Sequence, residues 1–328
     1  MARILVFGDV ASEIDILARP ERFGLYSRDM TPNQALHIAE SYGKGDLSAD
    51  RVDDTLRIGG SALGLSQYLI CQEEEGEDHH GHELAVVAMV SRTTLRGQVR
   101  DRFTQNVGAR LYEVDGNGKM HRKVTVHSRL RGNPLHLWDT SLDTLQDRID
   151  PREIEDLNLC QYDHLVLAEA NPTAALRFAK AFRRENPEGN LVYMPGRYLE
   201  RHGWGTSKSK FRDLARLATE LALSNNQAKQ VLSLIGEGPL TIFKGNENLG
   251  RLIVVDNVNG IELYDRDTRR IHEQPFLQTQ GAPESLMTSF SGDPLESFLG
   301  TYLHFGADGD KPLGELLQLA AVSAKRAM

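Results

Sequence analysis

Short, uninterrupted apolar runs recur along the chain, at Ile4–Phe7, Leu84–Val90, His164–Ala168, Leu191–Tyr193, Leu221–Leu223, Leu240–Phe243 and Leu252–Val255. A strand wetted on one side alternates apolar and polar residues. A run without polar interruption suits a strand covered on both faces, as in a parallel sheet. Helical patterns lie between several of these runs. Pro172 to Arg184 carries Leu176, Phe178, Ala179 and Phe182, with Asn171 placed to cap it and Pro172 at the first helical position. Gln227 to Leu234 carries Ala228, Val231, Leu232 and Leu234. The alternation predicts an α/β fold with a mainly parallel central sheet flanked by helices. No composition shift divides the chain, so one domain is expected over residues 1–328.

Two regions break the rhythm. Residues 16–57 are polar and turn-rich, with little periodicity. Residues 109–131 read as a β-hairpin: Arg110–Val114, a turn at Asp115-Gly-Asn-Gly118, then Met120–Arg129. Such a hairpin is either a flap over a site or an extension of the sheet edge. Small β lid elements are expected within 16–57 and 109–131. The acidic, His-rich segment from Gln72 to His82 has no metal-ligand spacing and reads as a solvated loop.

The formal net charge of -8 argues against general nucleic-acid binding, because phosphate backbones are repelled overall. Cys71 and Cys160 are too few for a disulfide framework. The first apolar run stops at Gly8, as a strand does and a signal peptide does not. No stretch approaches a membrane span. A cytoplasmic protein without a membrane or nucleic-acid partner is expected.

The segment Ser289-Phe-Ser-Gly-Asp-Pro-Leu-Glu-Ser-Phe298 is the clearest candidate for chemistry. Leu295, Phe298, Leu299, Tyr302 and Leu303 recur on one helical face. Proline at 294 suits the first helical position and puts Asp293 at the N-cap. A helix terminus of this kind attracts anions through its dipole and its unpaired N–H groups. Asp293 is therefore either a cap, stabilising by about 1 kcal/mol, or a general base beside a phosphate. Spacing alone favours the cap.

Two weaker signals accompany it. Gly59-Gly60 joins a helix with small residues on one side, and paired glycines allow close approach to the backbone. Gly8 to Asp15 places acids just beyond the first strand, where α/β proteins commonly bind ligands. In this order the motifs resemble the PfkB, or ribokinase-like, family of sugar and nucleoside kinases. The match runs from the first strand to the last helix. Asp15 stands for the family's acid that holds substrate hydroxyls, Gly59-Gly60 for its Gly-Gly motif, and Phe290-Ser-Gly-Asp293 for its Gly-Ala-Gly-Asp motif. Within the family, His121–Arg129 is similar to the basic strand of the heptose-7-phosphate type.

The resemblance implies a ribokinase-like fold with a β lid and ATP-dependent phosphoryl transfer to a hydroxyl of a sugar or sugar phosphate. Asp293 would be the base, and the N–H groups of Ser291 and Gly292 would stabilise the transferred group. ATP would lie near Asn225, Gly245 and Phe290, and magnesium would come with it. Several family positions differ: Phe290 replaces glycine, Gly64 replaces the asparagine after Gly-Gly, Ala228 replaces the carboxylate of Asn-x-x-Glu, and Met194 replaces the aspartate of Asp-Pro-Lys. Phe243 also replaces the threonine of Thr-x-Gly. The alternative is thus a catalytically impaired member that binds nucleotide or sugar and acts through protein partners. There is no Walker-type phosphate loop, since Gly205-Thr-Ser-Lys-Ser lacks the glycine before lysine.

Alternation along the strand at 121–131 puts Lys123, His127, Arg129 and Arg131 on one face, with Arg122 opposite. Arg92, Arg96, Arg100 and Arg102 lie upstream. Lys123 and Arg129 are the expected contacts for an anionic substrate; a solvated charged face is the other reading. A homodimer through the lid is expected, because open strand edges invite pairing.

Overall fold

The computed structural model describes every residue except 19–20, 22, 28, 44–50, 53–56, 71–81, 91–94, 117–119, 129–130, 140–142, 197, 200–206, 236–238, 277–292, 308, 310 and 328. Its strands, in chain order, are β1 (Arg3–Gly8), β2 (Ala11–Ala18), β3 (Arg51–Val52), β4 (Arg57–Gly59), β5 (Glu83–Val90), β6 (Arg110–Asp115) and β7 (His121–Ser128). There follow β8 (Arg131–Trp138), β9 (His164–Ala168), β10 (Asn190–Met194), β11 (Glu220–Ser224), β12 (Arg251–Asp256), β13 (Gly260–Asp265) and β14 (Arg270–Gln274). The helices are α1 (Pro32–Gly43), α2 (Ser61–Ile70), α3 (Leu95–Asp101), α4 (Asp143–Gln146) and α5 (Pro172–Glu185). After them come α6 (Ser207–Leu217), α7 (Asn225–Ile235), α8 (Pro294–Gly306) and α9 (Leu313–Ala327).

Nine strands form one sheet in the order β14-β13-β12-β11-β10-β9-β1-β5-β6. From β12 to β6 every neighbouring pair is parallel, and β13 and β14 close the other edge antiparallel. The apolar runs are continuous because both faces are covered. Ile4 and Val6 of β1 face a core shared with α2, α8 and α9, including Leu65, Phe298, Leu299 and Leu317. Leu5 and Phe7 face the opposite core with Phe178, Phe182, Leu214 and Val231 of α5, α6 and α7. Asn171 caps α5 by accepting from the Thr173 N–H at 2.8 Å, as its sequence position predicts.

A second sheet runs β3-β2-β7-β8, with β4 also paired to β2. One face carries Ile16, Val124, Val126 and Leu137, packed with Ala35 and Ala39 of α1. The other carries Glu13, Asp15, Lys123, Thr125, His127, His136 and Trp138, by strand alternation and register.

Three local expectations are corrected. The 110–129 hairpin does not form: β6 pairs parallel with β5 in the large sheet, and β7 pairs with β2 and β8 in the small one. The turn-like Asp115-Gly116 therefore joins two sheets. Leu111, Tyr112 and Val114 explain the placement, since they pack toward the large sheet's cores. The run at 240–243 is a 3-10 helix, Pro239–Phe243. β11 and β12 are already direct neighbours, leaving no slot for a strand between them. Finally, residues 16–57 contain α1, entered through a capping box in which the Thr31 N–H bonds Gln34 Oε1 at 2.8 Å and the Gln34 N–H bonds Thr31 Oγ1 at 3.3 Å.

Candidate active site at the strand ends

The parallel strands β1, β9, β11 and β12 end at Gly8, Ala168, Ser224 and Asp256, and the small sheet rises from this end through β2. Asp293 sits at the N-cap of α8 with extended backbone (φ -66°, ψ 132°), and its Oδ1 accepts from the Leu295 N–H at 2.7 Å. Pro294, next in line, has no N–H to satisfy. The Asp293 side chain is exposed at the helix terminus.

Glu13 of β2 folds its carboxylate over the glycine pair. Gly60 donates its N–H to Glu13 Oε1 at 3.2 Å, and a Cβ on Gly59 would lie 2.2 Å from the Glu13 carboxyl carbon. Gly60 itself has φ +98°, a conformation that side chains resist. The Glu13 carboxylate thus occupies the space beside Gly59. Lys123, the register partner of Glu13, places Nζ 3.3 Å from its Oε1 and 5.4 Å from the Trp138 ring centre.

Glu169 follows β9 directly. Its backbone is left-handed, φ 51°, at a cost of about 1–3 kcal/mol for a non-glycine residue. The Ser61 hydroxyl donates to its Oε2 at 2.6 Å. Strain held at a strand end, with an acid side chain as the result, is common at functional positions.

Glu296 lies one turn after Asp293. Burial raises its pKa well above the carboxylate range, and Asp293, Glu169 and Glu13 push it the same way, while Lys123 partly offsets them. For Lys123, burial lowers the pKa, but the fields of Glu13, Glu296, Glu169 and Asp293 outweigh it and the net shift is upward. These five side chains therefore share one electrostatic field. On the small sheet nearby, burial, then Lys123 and His127, hold His136 down to about 4, so it is neutral at neutral pH.

A buried polar chain holds the small sheet to the large one. Gln146 of α4 donates from Nε2 to Asp9 Oδ1 at 2.5 Å, and the same nitrogen is 2.9 Å from His121 Nε2. Tyr198 OH donates to Gln146 Oε1 at 3.0 Å. His121 Nδ1 lies 3.3 Å from the Asp139 carbonyl, which only accepts, so Nδ1 carries the hydrogen and Nε2 accepts from Gln146. All four side chains are buried. Asp9 precedes β2 and His121 opens β7, so this chain fixes where Glu13 and Lys123 stand.

No protein-family model matches the sequence, and no curated protein matches it. Solved structures do. A nucleoside kinase of Burkholderia thailandensis, in complex with inosine, superposes with TM-score 0.65 at 14% identity, over 98% of this chain and 90% of that one. A ribokinase of Cryptococcus neoformans var. grubii, in complex with ADP, gives 0.67 at 14% identity, over 99% and 93%. An adenosine kinase of Sinorhizobium meliloti gives 0.67 at 14% identity, over 98% and 92%. This is the ribokinase-like fold.

In this ribokinase-like chain Gly59, Gly60 and Lys123 come together around Glu13, and the charge of Asp293 acts on Lys123. Asp15 is displaced from them: it pairs with His127 at 3.1 Å, farther along β2, and the acid against the glycine pair is Glu13. Asn225 opens α7 and donates its side-chain amide to Asp256 at the end of β12. Gly245 has φ +79° with open space where a Cβ would stand. Ser291, Gly292, Phe290 and Arg129 lie outside the described residues. Of the upstream arginines, Arg96 and Arg100 are tied to Glu113 of β6, at 2.5 and 2.8 Å, and do not join the lid face.

Sequence reasoning missed Glu13, Glu169 and Glu296. Glu13 had a signal, since it shares a strand face with Asp15. Glu169 had a weaker one, as the lone charge between the β9 run and the Asn171 cap. Among the described residues no set of three His, Cys, Asp or Glu forms a metal site, and no helix is long and apolar enough to cross a membrane. A groove of about 630 Å³ along β6, lined by Arg110, Glu113, Arg148 and Asp150, is built from none of these site residues.

Proposed function

We propose that this protein is an ATP-dependent kinase that phosphorylates a hydroxyl of a small polyhydroxylated acceptor of the sugar or nucleoside class. The observation that carries the reading is Asp293, set at the N-terminus of α8 and sharing a field with Lys123, Glu13 and Glu169. The ribokinase-like fold supports it, and the related kinases were determined with inosine and with ADP.

Asp293 spends one oxygen on the Leu295 N–H, and its other oxygen makes no hydrogen bond among the described residues. That oxygen takes the acceptor proton while the acceptor oxygen attacks the γ-phosphorus of ATP. The bond from phosphorus to the ADP oxygen breaks, and ADP leaves with the electron pair. The N-terminus of α8 favours the negative charge of the phosphates. Glu13 and Glu169 are placed to accept from acceptor hydroxyls. Magnesium would come with the nucleotide phosphates and water. ATP would lie near Asn225 and Gly245, as the resemblance implies. The reading includes a homodimer through the lid, whose edge strand β8 has no outer neighbour among the described residues.

A second reading rests on Ala228, which is buried in the core where the resemblance expects a magnesium-linked carboxylate. There the protein binds nucleotide or acceptor and acts through partners. ADP release measured over a panel of sugars, sugar phosphates and nucleosides separates the two. Turnover with any acceptor supports the kinase; nucleotide binding without turnover across the panel supports the second reading.

A further inference from the structure

Glu169 turns away from the side of the sheet that its place in the chain assigns it. Along β9 the side chains alternate between the two cores: Leu165 and Leu167 face the α5 side, and Val166 and Ala168 face the α2 and α8 side. The next residue would point toward α5. Instead its backbone is left-handed, φ 51°, and its Oε2 accepts the Ser61 hydroxyl at 2.6 Å. Ser61 opens α2, whose Ala62, Leu63 and Leu65 lie in the same core as Val166 and Ala168. Gly196, two residues beyond β10, is left-handed as well, φ +53°. A Cβ there would stand 1.9 Å from Glu169 Oε1 and 2.0 Å from its Cγ, so the glycine leaves the room into which the acid turns. The Glu169 N–H donates to the Met194 carbonyl at 2.8 Å and ties the two strand ends together.

Ser61 is fixed from its own side. It is fully buried. Before it, Gly60 lies so close to the connection from β1 to β2 that a Cβ would stand 2.6 Å from the Asp9 carbonyl oxygen. After it, the Ala62 N–H donates to that same oxygen at 3.1 Å. The hydroxyl therefore occupies a set point, and its bond to Glu169 has the short length of a charge-assisted one. Consecutive residues each hold one acid: the Gly60 N–H holds Glu13 at 3.2 Å, and the Ser61 hydroxyl holds Glu169. A buried serine on this helix needs no such partner. Ser66 satisfies its hydroxyl locally, donating to the Ala62 carbonyl one turn back at 2.5 Å. Ser61 instead reaches a strained residue on another element, with a third element giving way.

We propose that Ser61 is a positioning residue: together with Gly196 it holds the Glu169 carboxylate in the orientation that receives a hydroxyl of the acceptor. The inference rests on the proposed function for the class of acceptor, but its claim is one of binding and stands apart from turnover. Ser61 acts through Glu169 and not on the acceptor itself. Its loss therefore weakens the acceptor while sparing the nucleotide and the proton transfer at Asp293.

The test uses the full chain, with D-ribose, D-fructose, inosine and adenosine as acceptor probes and ADP as the nucleotide probe. Calorimetry gives affinities, and ADP formation from ATP gives kcat and KM. Ser61→Ala is expected to weaken the best-bound acceptor probe about tenfold and to leave ADP affinity within about twofold. Where turnover is seen, the acceptor KM rises while kcat stays within about threefold. Gly196→Ala, which displaces the same carboxylate from the other side, weakens the acceptor in the same direction. In a Glu169→Gln background, Ser61→Ala costs less than about twofold, because the two residues act as one unit. Unchanged acceptor affinity in Ser61→Ala, an equal loss of acceptor and ADP affinity, or a full tenfold loss in the Glu169→Gln background overturns the proposal. The expected binding pattern without ADP formation sinks the kinase reading alone. Turnover of a probe whose affinity ignores both Ser61 and Glu169 sinks this inference alone. A parent protein that binds none of the four acceptor probes sinks both.

Discussion

Glu296 Oε2 lies in the space that a Cβ on Gly64 would claim, 2.1 Å from it. The contact joins α8 to α2, and a Cβ on Gly300, one turn farther along α8, would stand 2.5 Å from Tyr68 Cβ on α2. Two helices that approach this closely leave Glu296 little water and three acidic neighbours.

The folded state therefore favours the protonated form of Glu296 more than the unfolded chain does. Stability falls as pH rises from the ordinary glutamate value, about 4.3, through the raised folded value. Glu296→Gln removes that slope. The variant is expected to melt higher than the parent at pH 7, with the gain vanishing below about pH 4. Each pKa unit of elevation corresponds to about 1.4 kcal/mol. Parallel melting profiles between pH 4 and 8 would exclude this account.

Lys123 has the same sign of slope in a higher pH window. Its folded pKa is raised, so its contribution is complete below the unfolded value of about 10.4 and is lost as pH climbs through the folded one. Lys123→Met is expected to cost roughly 1–3 kcal/mol at pH 7, between the values for exposed and buried pairs. The difference from the parent should stay level across neutral pH and close only in strong base. Chemical denaturation at pH 6, 8 and 10 checks it.

Asp293→Asn keeps a good cap, because asparagine and aspartate serve equally at that position. Its melting temperature should scarcely move, while kcat for ADP formation falls about 10²–10⁴-fold with loss of the base. Asp293→Ala should lose the same activity and a further 1 kcal/mol or so of stability. Full turnover in the asparagine variant would reduce Asp293 to a cap.

Gln146→Leu removes the centre of the buried chain and takes one hydrogen bond from each of Asp9, His121 and Tyr198. A buried hydrogen bond lost in this way costs roughly 1–3 kcal/mol. A loss of at least about 2 kcal/mol is expected in urea unfolding. A smaller loss would mean that water replaces the amide.

Local physics made much of this molecule readable. The runs at Ile4, Leu84, His164, Leu191, Leu221 and Leu252 are strands because nothing else covers both faces of such short apolar segments. Asn171 and Asp293 are caps because proline follows each and an apolar helical face follows that. Those two periodicities specify the α/β fold, and the Pro294 signature places Asp293 at a helix terminus. None of this needs knowledge of what lies across the core.

The partners across the core came only from the folded chain. Residues 110–115 and 121–128 looked like one hairpin, but each strand had a better neighbour far away in sequence, β5 for one and β2 for the other. Glu13 meets Gly59-Gly60 while Asp15 pairs with His127, because strand register sets which acid meets the glycines. Gly64 and Glu296 are 232 positions apart and carry no shared local signal. Only helix packing brings that pair together, with the Glu296 carboxyl in the space beside Gly64.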